Sequence, residues 1–280
     1  MDLMAFATAA VREDLGPGDL TTEATVGVER VGTGEVLAKQ DLVVCGQDLA
    51  AAFFDVVGRH YGAVAVYEPR VADGTRVDAG TVIATVSGSL RVIIVAERPA
   101  LNGLMKLCGI ATHTRTFVDA AGQGLRVVDT RKTTALWRDL EKYAVRCGGA
   151  HNHRRGLYDG VMVKDNHISA VGSLAEAVRL AREEVHHLVR IEVEARTLDE
   201  VDQALETDAE VILLDNMDDD MLREAVRRAR AARPVVLEAS GNMTAERVAR
   251  LADIGLDVVS AGALIHQARW VDLSLKVRRR

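Results

Sequence analysis

The sequence predicts an α/β protein in which a small N-terminal α+β domain precedes an open, incomplete β/α barrel. Two observations predict the barrel: short apolar runs alternate with amphipathic helical patterns after residue 126, and nearly every run ends in a polar residue. Apolar strands that alternate with helices are typical of a parallel sheet covered on both faces. The barrel is expected to be incomplete because about six strands can be counted, whereas a closed barrel has about eight.

Composition and charge restrict the class of protein. The 280 residues are 48% hydrophobic and 27% charged, which is enough to bury a core. No apolar run approaches the roughly 20 residues that span a bilayer, and no cationic lead precedes an apolar N-terminal segment, so we expect a cytoplasmic protein without a membrane partner. The net charge of −6 argues against nucleic acid as the main partner. Three cysteines without a C-x-x-C pair predict reduced core thiols, with neither a disulfide framework nor a zinc site: Cys45, Cys108 and Cys147.

The first hundred residues are typical of a small mixed domain. An opening helix is predicted from Asp2 to Leu15, and a long helix from about Val95 through Ala121. We expect residues 1–110 to form the N-terminal domain with its bridging helix, 111–270 the barrel, and 271–280 a C-terminal tail. Its last residues, Arg278-Arg279-Arg280, are expected to be a frayed, solvated end rather than a binding patch. Short β-like stretches separated by turn signals lie around Val36, Val43, Val64 and Val82.

The residues that end the barrel strands carry the functional prediction. In a β/α barrel the C-terminal strand ends converge on one mouth, whereas a doubly wound sheet collects its ligand at one switch point. Capping boxes at Ser173-x-x-Glu176 and Thr197-x-x-Glu200 predict helix starts between strands. The strand candidates are Val127–Val128, Val161–Val163, Val189–Val193, Val211–Leu214, Val235–Leu237 and Val258–Val259. They end at Asp129, Lys164, Glu194, Asp215, Ser240 and Ser260.

Positive charge is concentrated in one segment of an acidic chain. Residues 126–167 hold nine Lys/Arg and five Asp/Glu, a local net charge of +4. Arg131 and Lys132 follow a strand beside three threonines, a combination that suits a polyanionic ligand; the alternative is a solvated loop. The glycine-rich segment around His153 and Arg154 offers further donors, and its arginines argue against a metal on its histidines. Lys164 follows a buried strand, where an ammonium group must be paired or functional.

Two carboxylates and two glycine turns complete the predicted mouth. Glu194 and Asp215 are candidates to hold Mg²⁺ with a substrate phosphate or to bind ribose hydroxyls, and neutralisation of the lysines is an equal alternative. Ser240-Gly241 and Gly262 each place glycine between a strand end and a helix, where backbone N–H groups can meet phosphate; tight packing is the alternative there. Together these residues predict a site for a small, highly anionic substrate and a phosphosugar.

At these residues the chain resembles the quinolinate phosphoribosyltransferases, also called carboxylating nicotinate-nucleotide pyrophosphorylases. The similar stretches run nearly from end to end: Glu13–Thr21, Ala96–Asn102, Gly109–Thr112, Asp129–Thr133, Leu140–Ala144, Asn152–Leu157, Lys164–His167, Glu192–Glu194, Leu214–Met217, Glu238–Gly241 and Gly262–His266. The resemblance implies an N-terminal α/β sandwich, an open barrel of fewer than eight strands, and a homodimer or higher oligomer with shared active sites. It also implies an enzyme of NAD biosynthesis that converts quinolinate and phosphoribosyl pyrophosphate into nicotinate mononucleotide, carbon dioxide and pyrophosphate.

The resemblance also assigns roles to residues of this chain. Arg98 would serve the active site of the neighbouring subunit, and Ser240, Gly241 and Gly262 would meet the 5′-phosphate. Glu194 and Asp215 would face the ribose hydroxyls and Mg²⁺, and with Lys132 and Lys164 they are the predicted catalytic residues. The pocket for quinolinate and the phosphates would be formed by Arg131, Lys132, His153, Arg154 and Lys164.

Some positions depart from the family pattern. Ala135 and Leu136 stand where Pro-Gly is usual, and Ala150, Cys108 and Ala261 replace a usual glycine, serine and valine. The altered loop keeps two alternatives open: a paralogous phosphoribosyltransferase acting on another heteroaromatic acid, and a catalytically silent protein that binds a phosphosugar. The charged residues named above are all retained, which argues against the silent alternative.

Overall fold

The computed structural model describes residues 1–279 and divides the chain into two contact units. The first unit contains Met1–Arg115, Asp139–Gly149 and the described residues from Ala268 onward. The second contains Thr116–Arg138 and Ala150–Gln267. The units therefore interleave along the chain, because contacts join segments that are distant in sequence. The sequence-based domain ranges 1–110, 111–270 and 271–280 stay a prediction.

The first unit is a mixed α/β unit built on an antiparallel sheet. Its predicted opening helix is present as α1, where the Asp2 carboxylate accepts hydrogen bonds from the backbone N–H groups of Met4 and Ala5. The helices are α1 (Leu3–Leu15), α2 (Leu20–Thr25), α3 (Gln47–Tyr61) and α5 (Arg138–Cys147), which follows the long helix α4 (Leu90–Ala121). The strands are β1 (Val31–Ala38), β2 (Leu42–Val43), β3 (Ala65–Pro69), β4 (Arg76–Val77) and β5 (Val82–Ser89), together with β12 (Leu273–Arg279). One sheet has the order β12-β1-β5-β3, and β2 pairs with β4.

The C-terminal segment is a strand that includes Arg278 and Arg279, so the expectation of a frayed end is wrong for these two residues. β12 pairs antiparallel with β1 in a register that runs from Gly32 opposite Arg279 to Ala38 opposite Leu273. Leu273 and Leu275 are buried, because side chains two residues apart on a strand share one face. The three arginines at the end obscured this apolar alternation in the sequence, and Arg280 lies outside the described residues.

The three cysteines are free thiols. Cys45 and Cys108 are fully buried, as expected of core thiols, and Cys147 is half-buried. The backbone N–H of Cys45 donates to Cys108 Sγ at 3.2 Å, and that thiol lies 3.3 Å from the Cys45 carbonyl oxygen.

The second unit carries a six-stranded parallel sheet in the order β6-β11-β10-β9-β8-β7. Its strands are β6 (Arg126–Val128), β7 (Val161–Val163), β8 (Ile191–Ala195), β9 (Val211–Asp215), β10 (Val236–Ser240) and β11 (Val258–Ser260). β6 and β7 are the two edges of this sheet within residues 1–279, so the predicted open barrel is confirmed. All six strands lie at the predicted places, with shifts of at most three residues at their ends.

Helices follow the strands of the barrel, as predicted. They are α6 (Asp165–Val171), α7 (Leu174–Glu184), α8 (Leu198–Leu205), α9 (Asp219–Ala232), α10 (Ala245–Leu251) and α11 (Ala263–His266). Thr197 and Glu200 form the predicted capping box. At the other predicted box, Ser173 caps α7 but the Glu176 carboxylate accepts from Arg179 instead, so the reciprocal half is absent. The predicted long helix, α4, begins at Leu90 rather than near Val95. Among residues 1–279, the helices all fall short of the length and apolarity that a bilayer crossing demands.

Candidate active site

The barrel unit contains a cavity of about 860 Å³ at the carboxyl ends of its strands, a volume in the range of small-molecule sites. Parallel strands end at the same edge of a sheet, so residues distant in sequence meet there. Ten of the eleven residues predicted to bind substrate line this cavity: Arg131, Lys132, His153, Arg154, Lys164, Glu194, Asp215, Ser240, Gly241 and Gly262. The eleventh, Arg98, is exposed on α4 and belongs to the first unit.

Asp129, the polar residue after β6, organises the loop that carries two of these side chains. It is fully buried, and its Oδ1 accepts a hydrogen bond of 2.9 Å from the backbone N–H of His153. Its Oδ2 accepts one of 2.7 Å from the amide of Asn152. Asp129 therefore fixes the backbone of the glycine-rich segment and presents His153 and Arg154 to the cavity.

Several cations line the cavity. The Arg154 guanidinium donates to the Gly160 carbonyl at 3.0 Å, and burial followed by the charge of Arg131 lowers its pKa. Lys132 lies against the glycine turn, since a Cβ atom added at Gly262 would stand 2.8 Å from its Cδ. Two guanidinium groups that repel each other through partly desolvated space favour an anion between them. We call Arg131, Lys132 and Arg154 the cationic half of the site.

The second half of the site is a charge network centred on a buried carboxylate. Glu194 is 5% exposed, and its Oε2 lies 3.0 Å from Lys164 Nζ. Its Oε1 lies 2.9 Å from Arg196, whose guanidinium also contacts Asp165 at 2.8 Å and Asp215 at 3.5 Å. Arg196 was not among the predicted residues, although its place two residues after Glu194 was a signal for it. Its guanidinium fixes the orientation of the acidic half, Glu194 and Asp215.

A third group lies below the mouth and was also missed by the sequence. His153 Nε2 lies 3.2 Å from Glu192 Oε2 and 3.5 Å from Glu238 Oε1. Both carboxyl groups are buried, at 7% and 4% exposed. Burial, and then the charge of Glu192, raises the pKa of Glu238 to about 7. The signal was the strand alternation: Glu192 and Glu238 stand two residues before Glu194 and Ser240, on the same strand face.

The two predicted glycine turns differ in geometry. Gly241 has a φ of +97°, a value that L side chains rarely adopt, and it lies against Asn216. Gly262 caps the four-residue helix α11 with an ordinary φ of −62°. Asn216, Asn242 and His266 also line the cavity and were not predicted.

Potential metal ligands occur in two groups of three within residues 1–279, and neither is the predicted pair. The ligand atoms of Cys45, Asp73 and Cys147 lie within 4.8 Å of one another, as do those of His153, Glu192 and Glu238. The first group was hidden in the sequence, because its members are separated by 28 and 74 positions.

The predicted pair, Glu194 and Asp215, offers carboxylate oxygens, the ligands that Mg²⁺ prefers. Both Glu194 oxygens already contact cations. Oδ2 of Asp215 accepts from Asn216 at 2.8 Å, and its Oδ1 accepts no hydrogen bond from any residue the structure describes. The donor set therefore fits a Mg²⁺ ion held mainly by Asp215, with phosphate and water completing its shell.

Comparison with protein families gives two matches that together cover most of the chain. Residues 19–108 match the family described as quinolinate phosphoribosyl transferase, N-terminal domain. Residues 110–276 match quinolinate phosphoribosyl transferase, C-terminal domain.

Similar individual proteins carry consistent names. The chain is 43% identical over 95% of its length to a probable nicotinate-nucleotide pyrophosphorylase [carboxylating] of Synechocystis, of which it covers 90%. It is 41% identical to the nicotinate-nucleotide pyrophosphorylase [carboxylating] of Mycobacterium leprae, with 95% of this chain and 94% of the relative covered. The crystal structure of NadC from Streptococcus pyogenes aligns with a TM-score of 0.92 and 34% identity, over 99% of this chain and 96% of that one.

Proposed function

This chain belongs to the quinolinate phosphoribosyl transferase family, and we propose that it makes nicotinate mononucleotide for NAD biosynthesis from quinolinate and phosphoribosyl pyrophosphate. The products that leave are carbon dioxide and pyrophosphate. The observation that carries the proposal is one cavity with a cationic half and an acidic half at the strand ends of a single barrel. A site that binds a dicarboxylate and a phosphosugar together requires both the cationic and the acidic lining.

The cationic half supports binding of the pyridine dicarboxylate. Arg131 and Arg154 can each grip a carboxylate with two parallel hydrogen bonds, and Lys132 adds a compact positive charge. Lys164 also lines the cavity, where its Nζ lies 3.0 Å from Glu194 Oε2. We assign quinolinate and the pyrophosphate to these residues, with His153 beneath them.

The acidic half is assigned to the sugar. Glu194 and Asp215 accept hydrogen bonds from the ribose hydroxyls, and Asp215 would hold Mg²⁺. Bound Mg²⁺ would neutralise charge on the pyrophosphate as it departs. The 5′-phosphate is assigned to Ser240 and to the backbone N–H groups at Gly241 and Gly262, where the absence of a side chain allows close approach.

The reaction on these assignments is driven by electrostatics. The bond between the anomeric carbon and pyrophosphate breaks through an oxocarbenium-like state, and the pyridine nitrogen of quinolinate then forms its bond to that carbon. Lys132 and Lys164 stabilise the charge that develops on the leaving group, and the carboxylates of Glu194 and Asp215 stabilise the developing positive charge on the sugar. The positively charged ring then accepts the electron pair released when the 2-carboxylate leaves as carbon dioxide.

We further propose a cytoplasmic homodimer with shared sites. Within the described residues 1–279, Arg98 is the only residue predicted to bind substrate that does not line the cavity. An exposed arginine on α4 is available to a neighbouring subunit, which is the role assigned to it.

The test is turnover and binding with quinolinate and nicotinate, each with phosphoribosyl pyrophosphate and Mg²⁺. Nicotinate lacks one carboxylate and leaves cations unpaired, at a penalty of about 1–3 kcal/mol. Quinolinate is therefore expected to bind at least about tenfold more tightly, since about 1.4 kcal/mol is a factor of ten. Equal affinities would favour a paralogue for another heteroaromatic acid, an alternative suggested by Leu136, whose φ of +65° stands where the family has glycine. No pyrophosphate release with any pyridine acid would favour a silent phosphosugar-binding protein.

A further inference from the structure

Arg196 places a positive charge inside the acidic half of the site. Its guanidinium lies 2.9 Å from Glu194 and 3.5 Å from Asp215, the two carboxylates assigned to the ribose and to Mg²⁺. It also lies 2.8 Å from Asp165, the first residue of α6. The steps assigned above make no use of this arginine, although it lines the cavity.

The cap of the helix after β8 fixes where this side chain begins. The backbone N–H of Arg196 donates to the Glu200 carboxylate at 2.5 Å, and the same oxygen accepts from the backbone N–H of Thr197 at 3.2 Å. The Thr197 hydroxyl in turn accepts from the backbone N–H of Glu200 at 3.2 Å. This reciprocal cap holds the backbone of Arg196 beside the strand end. Its side chain is 49% exposed, so the guanidinium end has room to move.

The guanidinium sets the charge that an arriving metal ion meets. The contact network contains the carboxylates of Asp165, Glu194 and Asp215. Its two cations are Arg196 and Lys164, so its net charge is −1, and without Arg196 it would be −2. A divalent ion on Asp215 lies beside a guanidinium that contacts the same carboxylate, and like charges a few ångströms apart repel each other. Arg196 therefore weakens the attraction of the acidic half for an ion that arrives alone.

An anionic ligand removes this obstacle. A phosphate group offers oxygen ligands to Mg²⁺, and its negative charge offsets that of the guanidinium. The contact between Arg196 and Asp215 is the longest of the three and exceeds the usual hydrogen-bond range of about 2.7–3.2 Å. It is therefore the contact that is lost at least cost when Asp215 accepts an ion, while Asp165 and Glu194 retain the guanidinium.

We propose that Arg196 keeps uncomplexed Mg²⁺ out of the acidic half, so that Asp215 accepts the ion only together with the phosphosugar. Arg196 is a positioning residue, because its charge acts through Glu194 and Asp215 rather than on the reacting atoms. This inference rests on the proposed function and adds to it the order in which the site is filled.

The experiment measures binding of Mn²⁺ alone, an ion that shares the preference of Mg²⁺ for oxygen ligands and whose unbound fraction is read by electron paramagnetic resonance. Arg196→Gln removes the positive charge and should bind Mn²⁺ at least about tenfold more tightly than wild type. Arg196→Lys keeps the charge and should bind the ion as weakly as wild type. The matched control is Arg179→Gln, since Arg179 is also half-exposed and paired with two carboxylates, each at 2.6 Å, but does not line the cavity. Its affinity for Mn²⁺ should be that of wild type.

The direction of the change separates this role from a structural one. If Arg196 only oriented the carboxylates, Arg196→Gln would disorder the acidic half and bind Mn²⁺ more weakly. Equal or weaker binding by an Arg196→Gln protein that melts like wild type would overturn the proposal. Tight binding by Arg196→Lys would also overturn it, because the charge is then not the cause.

A measurement on the wild type covers the case in which Arg196→Gln does not fold. In equilibrium dialysis, the protein side should retain excess Mn²⁺ when pyrophosphate is present on both sides, and little when it is absent. Retention that does not depend on pyrophosphate would contradict the role of Arg196. Lack of turnover of quinolinate and phosphoribosyl pyrophosphate would instead contradict the proposed function, and the Mn²⁺ measurements require no turnover.

Discussion

Replacement of Gly241 by alanine tests whether the turn after β10 is built around glycine. Gly241 has a φ of +97°, and a Cβ atom there would stand 2.9 Å from the backbone nitrogen of Asn216 and 2.7 Å from its Cγ. Asn216 cannot simply move away. Its backbone N–H donates to Ser240 at 3.0 Å and its amide to Asp215 at 2.8 Å. The clash therefore strains the wall of the proposed phosphate and sugar site.

Gly172 provides the matched control, because its φ is +108° and a Cβ atom there meets nothing within 4 Å. A left-handed backbone costs an L residue about 1–2 kcal/mol, so Gly172→Ala should lose about that much. Gly241→Ala should lose a further amount of unfolding free energy, about 1–3 kcal/mol, because the added Cβ atom overpacks the turn. Urea unfolding followed by circular dichroism measures both. Equal losses in the two variants would refute the clash with Asn216, and a normal Michaelis constant for phosphoribosyl pyrophosphate in Gly241→Ala would refute its place in the site.

Three further predictions concern the charged groups. Arg98→Ala and Lys164→Ala should each be nearly inactive, yet co-expression should restore part of the activity, because one site of a mixed dimer holds both native groups; mixed dimers as inactive as the parents would contradict shared sites. Asp215→Ala should raise the Michaelis constant for the phosphosugar and alter its Mg²⁺ dependence, and Arg154→Ala should weaken quinolinate instead. If each variant loses affinity for both ligands equally and has a lower melting temperature, the acidic and basic groups only neutralise one another. Because the pKa of Glu238 is raised from 4.5 to about 7, the folded state holds this proton more tightly than the unfolded state. The resulting stabilisation is complete below about pH 4.5 and is lost as pH rises through about 7. Glu238→Gln should remove this pH dependence of the unfolding free energy, which amounts to on the order of 3 kcal/mol between about pH 4.5 and pH 7. An unchanged pH dependence would show that another group has the raised pKa.

Residues that act through their position on a strand could be predicted from the sequence. Glu194, Asp215 and Ser240 each end a short apolar run, and parallel strands bring such ends to one edge. The same rule explains why the cationic residues after β6 and β7 reached the same cavity. The rule does not identify residues that lie one layer deeper in the barrel, below the strand ends. Glu192 and Glu238 look like interior strand residues, and only their alternation with Glu194 and Ser240 indicated a shared face.

The loop contacts could not be predicted, because they depend on distances through space. Arg196 was not among the predicted residues, and its guanidinium contacts three carboxylates from three different strand ends. The C-terminal arginines were taken for a solvated tail, whereas Leu273 and Leu275 add a strand to the first sheet.

By itself the sequence determined the alternation of strands and helices, the openness of the barrel and the charged residues at its mouth, because each follows from local apolar periodicity and from the parallel direction of the strands. Only the tertiary structure decided which charged groups form ion pairs, which carboxyl groups are buried from solvent and which segments belong to the first unit. Burial and proximity set a pKa or an ion pair, and neither is a property of positions along the chain. Glu194 and Glu238 are both strand glutamates in the sequence; in the folded barrel Glu194 lies between two cations, whereas burial and then a neighbouring carboxylate raise the pKa of Glu238 to about 7.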